Sequence, residues 1–464
     1  MVEPDKLAWR GNGAQAALLY ATLVAAAIAA FLILRLIGAD LAPATGIAAP
    51  RGLAARGEGE TVFHVLLAMT VVVTAARAFG VVFAFLRQPP VVGEMLAGIL
   101  LGPSLLGNVA PELATYILPS SVAPYLAIIA QVGVLLYMFL VGLELDDTHM
   151  VTNTRQTVVI AHASIIVPFV LGSTLALSVY SELAPAGVSF TLFALFLGIS
   201  MSVTAFPVLA RILADRRMQA TPLGRIAITC AGVGDVTAWC LLALLVSVAR
   251  ADPSRVVVTV VAAAVYFLAM LFVVRPLIAR WIRKHDAGGL TRPAMSVVCV
   301  ALLVSTLVAE TIGVGAIFGA FLLGTIVPAG SRISRELIHH LEDLVVVLFL
   351  PAFFAFAGLR TEVGLLSTAG HWIICGLIIL IATIGKLGGS VLAARLTGMR
   401  WGDSMALGIL MNTRGLMELI VLNIGLDLGV ITPALFAMLV VMALVTTLAT
   451  APLLDLVRPL ARSN

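Results

Sequence analysis

Charge is scarce in this sequence. Asp, Glu, Lys and Arg make up 11% of its 464 residues, against about 25% in a typical soluble domain. That scarcity excludes the water-facing surface of ordinary globular domains, although length alone would suggest about three of them at roughly 150 residues each. Cysteine is rarer still. Cys230, Cys240, Cys299 and Cys375 all lie inside apolar runs and form no CxxC pair, which argues against a disulfide framework or a thiolate metal site and leaves them as small buried hydrophobes. No apolar run holds a nucleophile beside a base or a cluster of metal ligands, so a membrane enzyme is disfavoured and no cofactor is expected. The net charge of +4 lacks a basic stripe, because Lys and Arg fall mostly in short breaks between apolar runs. Nucleic acid is therefore not a predicted partner, and the basic residues read as orientation signals at a lipid bilayer.

What is present is apolar sequence: 61% of residues are hydrophobic and mean hydropathy is +1.11. A bilayer core about 30 Å thick takes ~20 apolar residues per helix. On that rule fourteen spans are predicted, at about 16–38, 62–86, 91–107, 122–144, 156–181, 190–213, 225–249, 256–282, 293–310, 313–330, 338–359, 369–396, 404–427 and 432–456. The prediction is an all-α, polytopic membrane protein. The first span is too long for the ~7 to 15 apolar residues of a signal peptide and is expected to be an uncleaved helix. With fourteen spans both termini share a side, and fourteen Lys and Arg residues fall on that side against five opposite. The positive-inside rule then places both termini in the cytoplasm, most simply at a bacterial inner membrane.

Short sequences recur seven spans apart. Leu100-Leu101-Gly102 returns as Leu322-Leu323-Gly324, Gly142-Leu143 as Gly358-Leu359, and Leu197-Gly198-Ile199-Ser200-Met201 as Leu407-Gly408-Ile409-Leu410-Met411. Since seven is odd, the second copy crosses the membrane in the opposite sense. The division implied is an extra helix and loop over 1–61, a first repeat over 62–255, a linker helix over 256–292 and a second, inverted repeat over 293–464. Such repeats are a signature of secondary transporters, whose halves exchange conformations to open a central site to alternate sides.

Two spans carry interruptions at corresponding places. Ser202-Val203-Thr204-Ala205-Phe206-Pro207 includes a proline that removes a donor and clashes with the carbonyl four residues earlier. Its repeat partner reads Met411-Asn412-Thr413-Arg414-Gly415. Paired breaks of this kind point to an ion site. Asp235 lies about eleven residues into its span, ~16 Å deep at 1.5 Å per residue, where a charge costs about 2.5 to 3.5 kcal/mol on insertion scales. Such a carboxylate holds a proton or a metal ion, or pairs with a buried base. Lys386, in Gly385-Lys386-Leu387-Gly388-Gly389, is the candidate base, and its small neighbours suggest close helix packing; Gly232 and Gly234 suggest the same beside Asp235. Arg414 has Glu418 one helical turn on as its expected partner. Glu144 and Arg360, after the repeated Gly-Leu pairs, serve equally well as interfacial anchors or supporting charges. Arg77 has no evident partner, Glu94 follows Pro89-Pro90 at a helix N-terminus, and His162 and His371 are isolated.

At these residues the sequence resembles the monovalent cation:proton antiporters, in the branch joining bacterial sodium/proton and potassium/proton exchangers with plant cation/proton exchangers. The carriers are Arg87-Gln88-Pro89 with Gly93-Glu94, Leu140 to Glu144, Ser202 to Arg211, Gly234-Asp235, Gly385-Lys386, and Asn412 to Leu416 with Glu418 to Asn423, over about residues 62–456. The last stretch looks most like the plant-type exchangers. The resemblance implies two discontinuous helices crossing in a core domain, a dimerisation domain that makes a homodimer, and an elevator-like movement. It implies that Asp235 binds Na+ or K+ in exchange for H+, that Lys386 is the core lysine and pairs with Asp235 in the ion-free state, and that Thr204 sits beside the site. Electrogenic members carry two adjacent acids, and Gly234 in place of the first implies electroneutral exchange. Many relatives end in a cytosolic regulatory domain; the chain's end about eight residues past its last span leads to the expectation that such gating is absent. A cation channel, or an exporter of a small organic ion on the same scaffold, is the rival reading.

Overall fold

Prolines and polar residues decide where the long apolar runs stop being regular helix. The computed structural model describes residues 58–144, 154–218, 221–250, 256–328 and 330–462, and these are helices and connections without a strand among the described residues. In chain order they are α1 (Glu58–Phe85), α2 (Pro90–Leu101), two short helices (Leu106–Val109, Pro111–Ile117), α3 (Ala123–Glu144), α4 (Thr154–Leu183), α5 (Phe190–Ser202), α6 (Phe206–Asp215) and α7 (Pro222–Arg250). There follow α8 (Val256–Ala269), α9 (Arg275–His285), α10 (Arg292–Ile312), α11 (Ala316–Ile326), α12 (Arg332–Leu344), α13 (Leu350–Leu359), α14 (Ala369–Leu396), α15 (Trp401–Met411), α16 (Leu416–Asp427) and α17 (Pro433–Arg462). Ten stretches are long and apolar enough to cross a membrane, eleven when α15 and α16 are taken as one bent span. The predicted span at 16–38 lies outside the described residues.

Two π-helical turns join helices that would otherwise be continuous, Met270–Val274 before α9 and Val345–Phe349 before α13. Each lies just ahead of a proline at the start of the next helix, Pro276 or Pro351. A proline inside a helix lacks a donor and crowds the carbonyl four residues back, and one wider turn relieves that clash.

Packing sorts the helices into two sets. α2, α3, α10, α11 and α13 pack chiefly on one another, and α4 to α7 pack chiefly with α14 to α17. Within the first set α2 lies on α13 and α3 lies on α11. These contacts are made at the repeated glycines: a Cβ at Gly102 would stand 2.6 Å from the carbonyl oxygen of Gly358, and one at Gly142 would stand 2.8 Å from Cα of Gly324. Since Gly102 corresponds to Gly324 and Gly142 to Gly358, exchanging the halves turns one contact into the other. The second set behaves likewise, for α4 on α5 and α5 on α7 have counterparts in α14 on α15 and α15 on α17.

Of the four cysteines, Cys230 and Cys375 are buried as expected, but Cys240 and Cys299 are exposed on the outside of the chain. Helices in lipid present apolar side chains outward as readily as inward, so hydropathy did not distinguish the two locations.

Candidate ion-binding site

The first interruption falls at residues 203–205, between α5 and α6. Val203, four residues before Pro207, is the residue at which the backbone leaves the helix, with φ −65° and ψ 138°, as the proline clash requires. The second falls at residues 412–415, and α15 and α16 are bent by 43° across it. The two breaks touch. The amide of Ala205 donates to the carbonyl of Thr413 at 3.0 Å, and the Thr204 hydroxyl donates to the carbonyl of Met411 at 3.3 Å.

A helix that ends inside a membrane leaves its last carbonyls without amide partners or water. At the end of α5 two cationic side chains meet this need. Arg414 donates to the carbonyl of Ser200 at 2.9 Å and to that of Met201 at 2.6 Å, and Lys386 donates to the carbonyl of Ser202. Positive charge at a helix C-terminus is also favoured by the helix dipole. Arg414 is itself held in place: its guanidinium bonds Glu418 at 2.7 Å, the partner expected from the sequence. Its backbone is clamped by Thr447, whose hydroxyl accepts from the Arg414 amide at 3.0 Å and donates to the Arg414 carbonyl at 2.7 Å. Arg414, Glu418 and Lys386 are all fully buried.

Asp235 is also fully buried, on α7. Neither of its carboxylate oxygens has a hydrogen-bond partner. The Phe206 amide, at the first residue of α6, and the Lys386 ammonium are the polar groups whose fields reach it, without the close geometry of a hydrogen bond or ion pair. The expected Lys386–Asp235 pair is thus not formed in this conformation, because the lysine caps α5 instead. Close packing around Lys386 is seen, since a Cβ at Gly385 would stand 2.9 Å from Cα of Pro168 on α4. Beside Asp235 close packing is not seen at Gly234, where a Cβ would meet nothing within 4 Å.

A cavity of about 400 Å³ opens against α7 and α16. Trp239, one turn along α7 from Asp235, forms part of its wall, is 3% exposed and packs against Phe321 with centroids 6.2 Å apart. Glu310, Asn423 and Asp427 line it too. Arg360 bonds Asn423 Oδ1 at 3.1 Å and Asp427 at 2.6 Å, so it ties α13 to α16. Glu144, by contrast, is exposed at the end of α3, away from these contacts. Among the described residues no group of three His, Cys, Asp or Glu forms a metal cage, and the oxygens where the breaks meet are backbone carbonyls and the Thr204 hydroxyl. The chemistry offered is that of one carboxylate with neutral oxygens, suited to a single monovalent cation or a proton.

Sequence reasoning missed three participants. Trp239 reads as an ordinary apolar residue, Thr447 carries no signal, and the partner of Arg77 is a backbone carbonyl. Arg77 donates to Val346 at 2.8 Å and lies 3.6 Å from Glu94, which is buried. In the π turn the Leu350 amide serves Val345 and Pro351 has none, so Val346 needs an outside donor. Pro351 was the available signal. His162 bonds the Val158 carbonyl at 2.8 Å, and His371 stands 3.8 Å from Glu182; neither approaches the breaks.

Residues 65–456 match the family described as sodium/hydrogen exchanger, transmembrane. The chain belongs to this family. Among related exchangers, the Na(+)/H(+) antiporter NhaS4 of Synechocystis is 42% identical over 86% of this chain and 98% of its own length. Cation/H(+) antiporter 17 of Arabidopsis thaliana is 39% identical over 84% of this chain and 47% of its own. The K(+)/H(+) antiporter 1 of Saccharomyces cerevisiae is 34% identical over 81% and 44%. The chain therefore spans nearly all of the cyanobacterial relative and about half the length of the plant and yeast ones. The exchanger fold is shared with the solved structure of the sodium proton antiporter MjNhaP1 from Methanocaldococcus jannaschii, with TM-score 0.55 and 13% identity over 84% of this chain and 95% of that one.

Proposed function

We propose that this sodium/hydrogen exchanger family member, a multi-pass membrane transporter, exchanges Na+ or K+ for protons by alternating access, with Asp235 as the group that carries one or the other. The observation that carries this reading is a fully buried carboxylate with no hydrogen-bond partner, set where two interrupted helices meet. A buried acceptor left unpaired is destabilising. A proton or a bare cation relieves the same deficit, so the two compete for the same oxygens.

In the proposed cycle Asp235 loses its proton to one side and takes the cation, with the Thr204 hydroxyl oxygen and carbonyls of the breaks as further ligands. Lys386 and Arg414 keep the end of α5 capped, so that the interruption stays open without water. The two helix sets support a core (α4 to α7 and α14 to α17) moving against the remainder, with the discontinuous helices crossing at its centre. The reciprocal glycine contacts support inverted repeats over 62–255 and 293–464 joined by a linker over 256–292. The reading further includes fourteen spans, cytoplasmic termini in a bacterial inner membrane, a homodimer, and electroneutral exchange from the single acid beside Gly234.

Reconstituted protein is expected to show proton flux that depends on Na+ or K+, and Asp235→Asn is expected to abolish it. Full exchange by that variant would reject the assignment. Electrical recording separates this reading from a channel, which passes current without a proton gradient.

A further inference from the structure

A second cavity, of about 610 Å³, carries charge of the opposite kind to a cation pathway. Its wall includes Arg87 and Gln88 from the connection between α1 and α2, Arg211, Arg216 and Arg217 from the end of α6, and Asp455 from α17. Among the described residues lining it, four guanidinium groups share one concave space with one carboxylate, Asp455. That carboxylate is engaged, for Asp455 bonds Arg216, which also donates to the Ala451 carbonyl at 3.2 Å.

Two observations distinguish this from basic residues scattered by the positive-inside rule. The first is backbone conformation. Arg87 has φ 58° and Arg217 has φ 54°, the described non-glycine residues in the left-handed region. Each follows the last turn of a helix, with the next amide bonded back five residues, Gln88 to Phe83 at 2.8 Å and Met218 to Leu213 at 2.7 Å. That is the helix-ending position where glycine is preferred. Orientation in a membrane does not require arginine at a strained position, and two such arginines line one cavity. Second, Oε1 of Gln88 is buried there without a partner, and reversing the amide presents a donor at the same point.

We propose that this cavity binds a phosphate group, free or as the headgroup of an anionic lipid. Guanidinium forks match the oxygens of a phosphate, and charge-assisted hydrogen bonds of this kind are the strong ones. Arg87 belongs to the connection leading into α2, while Arg211 belongs to α6 and Arg216 and Arg217 follow directly from its end, so the ligand spans the two helix sets. Occupancy favours the conformation in which both walls are close. The resulting slowing of transport rests on the exchange cycle proposed above; the binding itself does not.

The test uses the purified full chain and a double variant, Arg87→Gly with Arg217→Gly, which removes two charges while supplying the residue the backbone prefers, so that it folds. Thermal unfolding is followed against inorganic phosphate and, separately, dioctanoyl phosphatidic acid, with chloride at matched ionic strength as reference. The wild type is expected to gain stability with one or both probes, and apparent affinity is expected to fall by about tenfold or more for each guanidinium removed. A response to inorganic phosphate supports the site with a soluble anion, and a response confined to phosphatidic acid supports it with a lipid. Equal behaviour of wild type and variant with both probes would overturn the site. Ligand-dependent slowing of wild-type flux, reduced in the variant, supports the conformational consequence; unchanged flux with binding intact overturns that consequence alone.

Discussion

The ammonium of Lys386 is bound to the carbonyl of Ser202, the last residue of α5, and not to the carboxylate of Asp235. In this conformation a lysine that reads from sequence as a counter-ion serves first as a helix cap.

This arrangement makes a graded prediction. Lys386→Gln keeps a donor for the Ser202 carbonyl and is expected to retain measurable exchange, whereas Lys386→Met leaves that carbonyl unsatisfied at a loss of about 1 to 3 kcal/mol. Thermal unfolding in detergent, paired with flux in vesicles, checks both. Equal stability of the two variants would contradict the capping role.

Arg414 is expected to matter more for stability. Removing it leaves two carbonyls of α5 and the Glu418 carboxylate without their donor, and breaking a buried pair typically destabilises by about 3 to 5 kcal/mol. Arg414→Ala should therefore fail to accumulate or melt well below the wild type. Glu418→Gln, which keeps an acceptor, should be much milder.

Gly234 faces open space, so Gly234→Asp should fold without displacing a neighbour. A second carboxylate beside Asp235 lets the carrier bring more than one proton per cation. Solid-supported membrane recording is expected to detect charge movement in this variant and none at steady exchange in the wild type. Silent recordings from both would remove the link between this position and stoichiometry.

Trp239 lines the 400 Å³ cavity and lies one helical turn from Asp235 on α7, where its ring is placed to separate the two. Trp239→Ala should let a water-soluble carbodiimide modify Asp235 faster, with protection by the transported cation. Because large aromatic truncations commonly destabilise by about 3 to 5 kcal/mol, Trp239→Phe provides the folded control, with labelling close to wild type. Labelling unaffected by Trp239→Ala would mean that the side chain is not a barrier.

Much of this site was legible in the sequence because a membrane interior makes exceptions conspicuous. Pro207 announced the first break and the run from Asn412 to Gly415 the second, since polar residues and a proline disturb an apolar helix that has no water to repair it. Arg414 and Glu418 were readable as a pair because four residues make one turn. The role of Lys386 was not, because its acceptor belongs to another helix 184 residues away in sequence. Arg77 was opaque for a related reason, as its carbonyl partner is exposed by a π turn whose cause, Pro351, lies on a distant segment. Gly234 misled because small residues in membrane helices usually mark close contacts, and here the glycine borders a gap.

The reciprocal contacts of Gly102 with Gly358 and Gly142 with Gly324 have an energetic corollary. In a perfectly two-fold chain the outward and inward arrangements would be degenerate, and neither side of the bilayer would be the resting one. The degeneracy is lifted where the halves differ in charge: guanidinium and ammonium terminate α5, while α15 ends on neutral amide and hydroxyl donors. Within the exchange cycle proposed above, this asymmetry is expected to bias the idle carrier toward one face, and Lys386→Gln, which keeps a cap on α5 while removing the charge, is expected to shift which face the empty molecule presents.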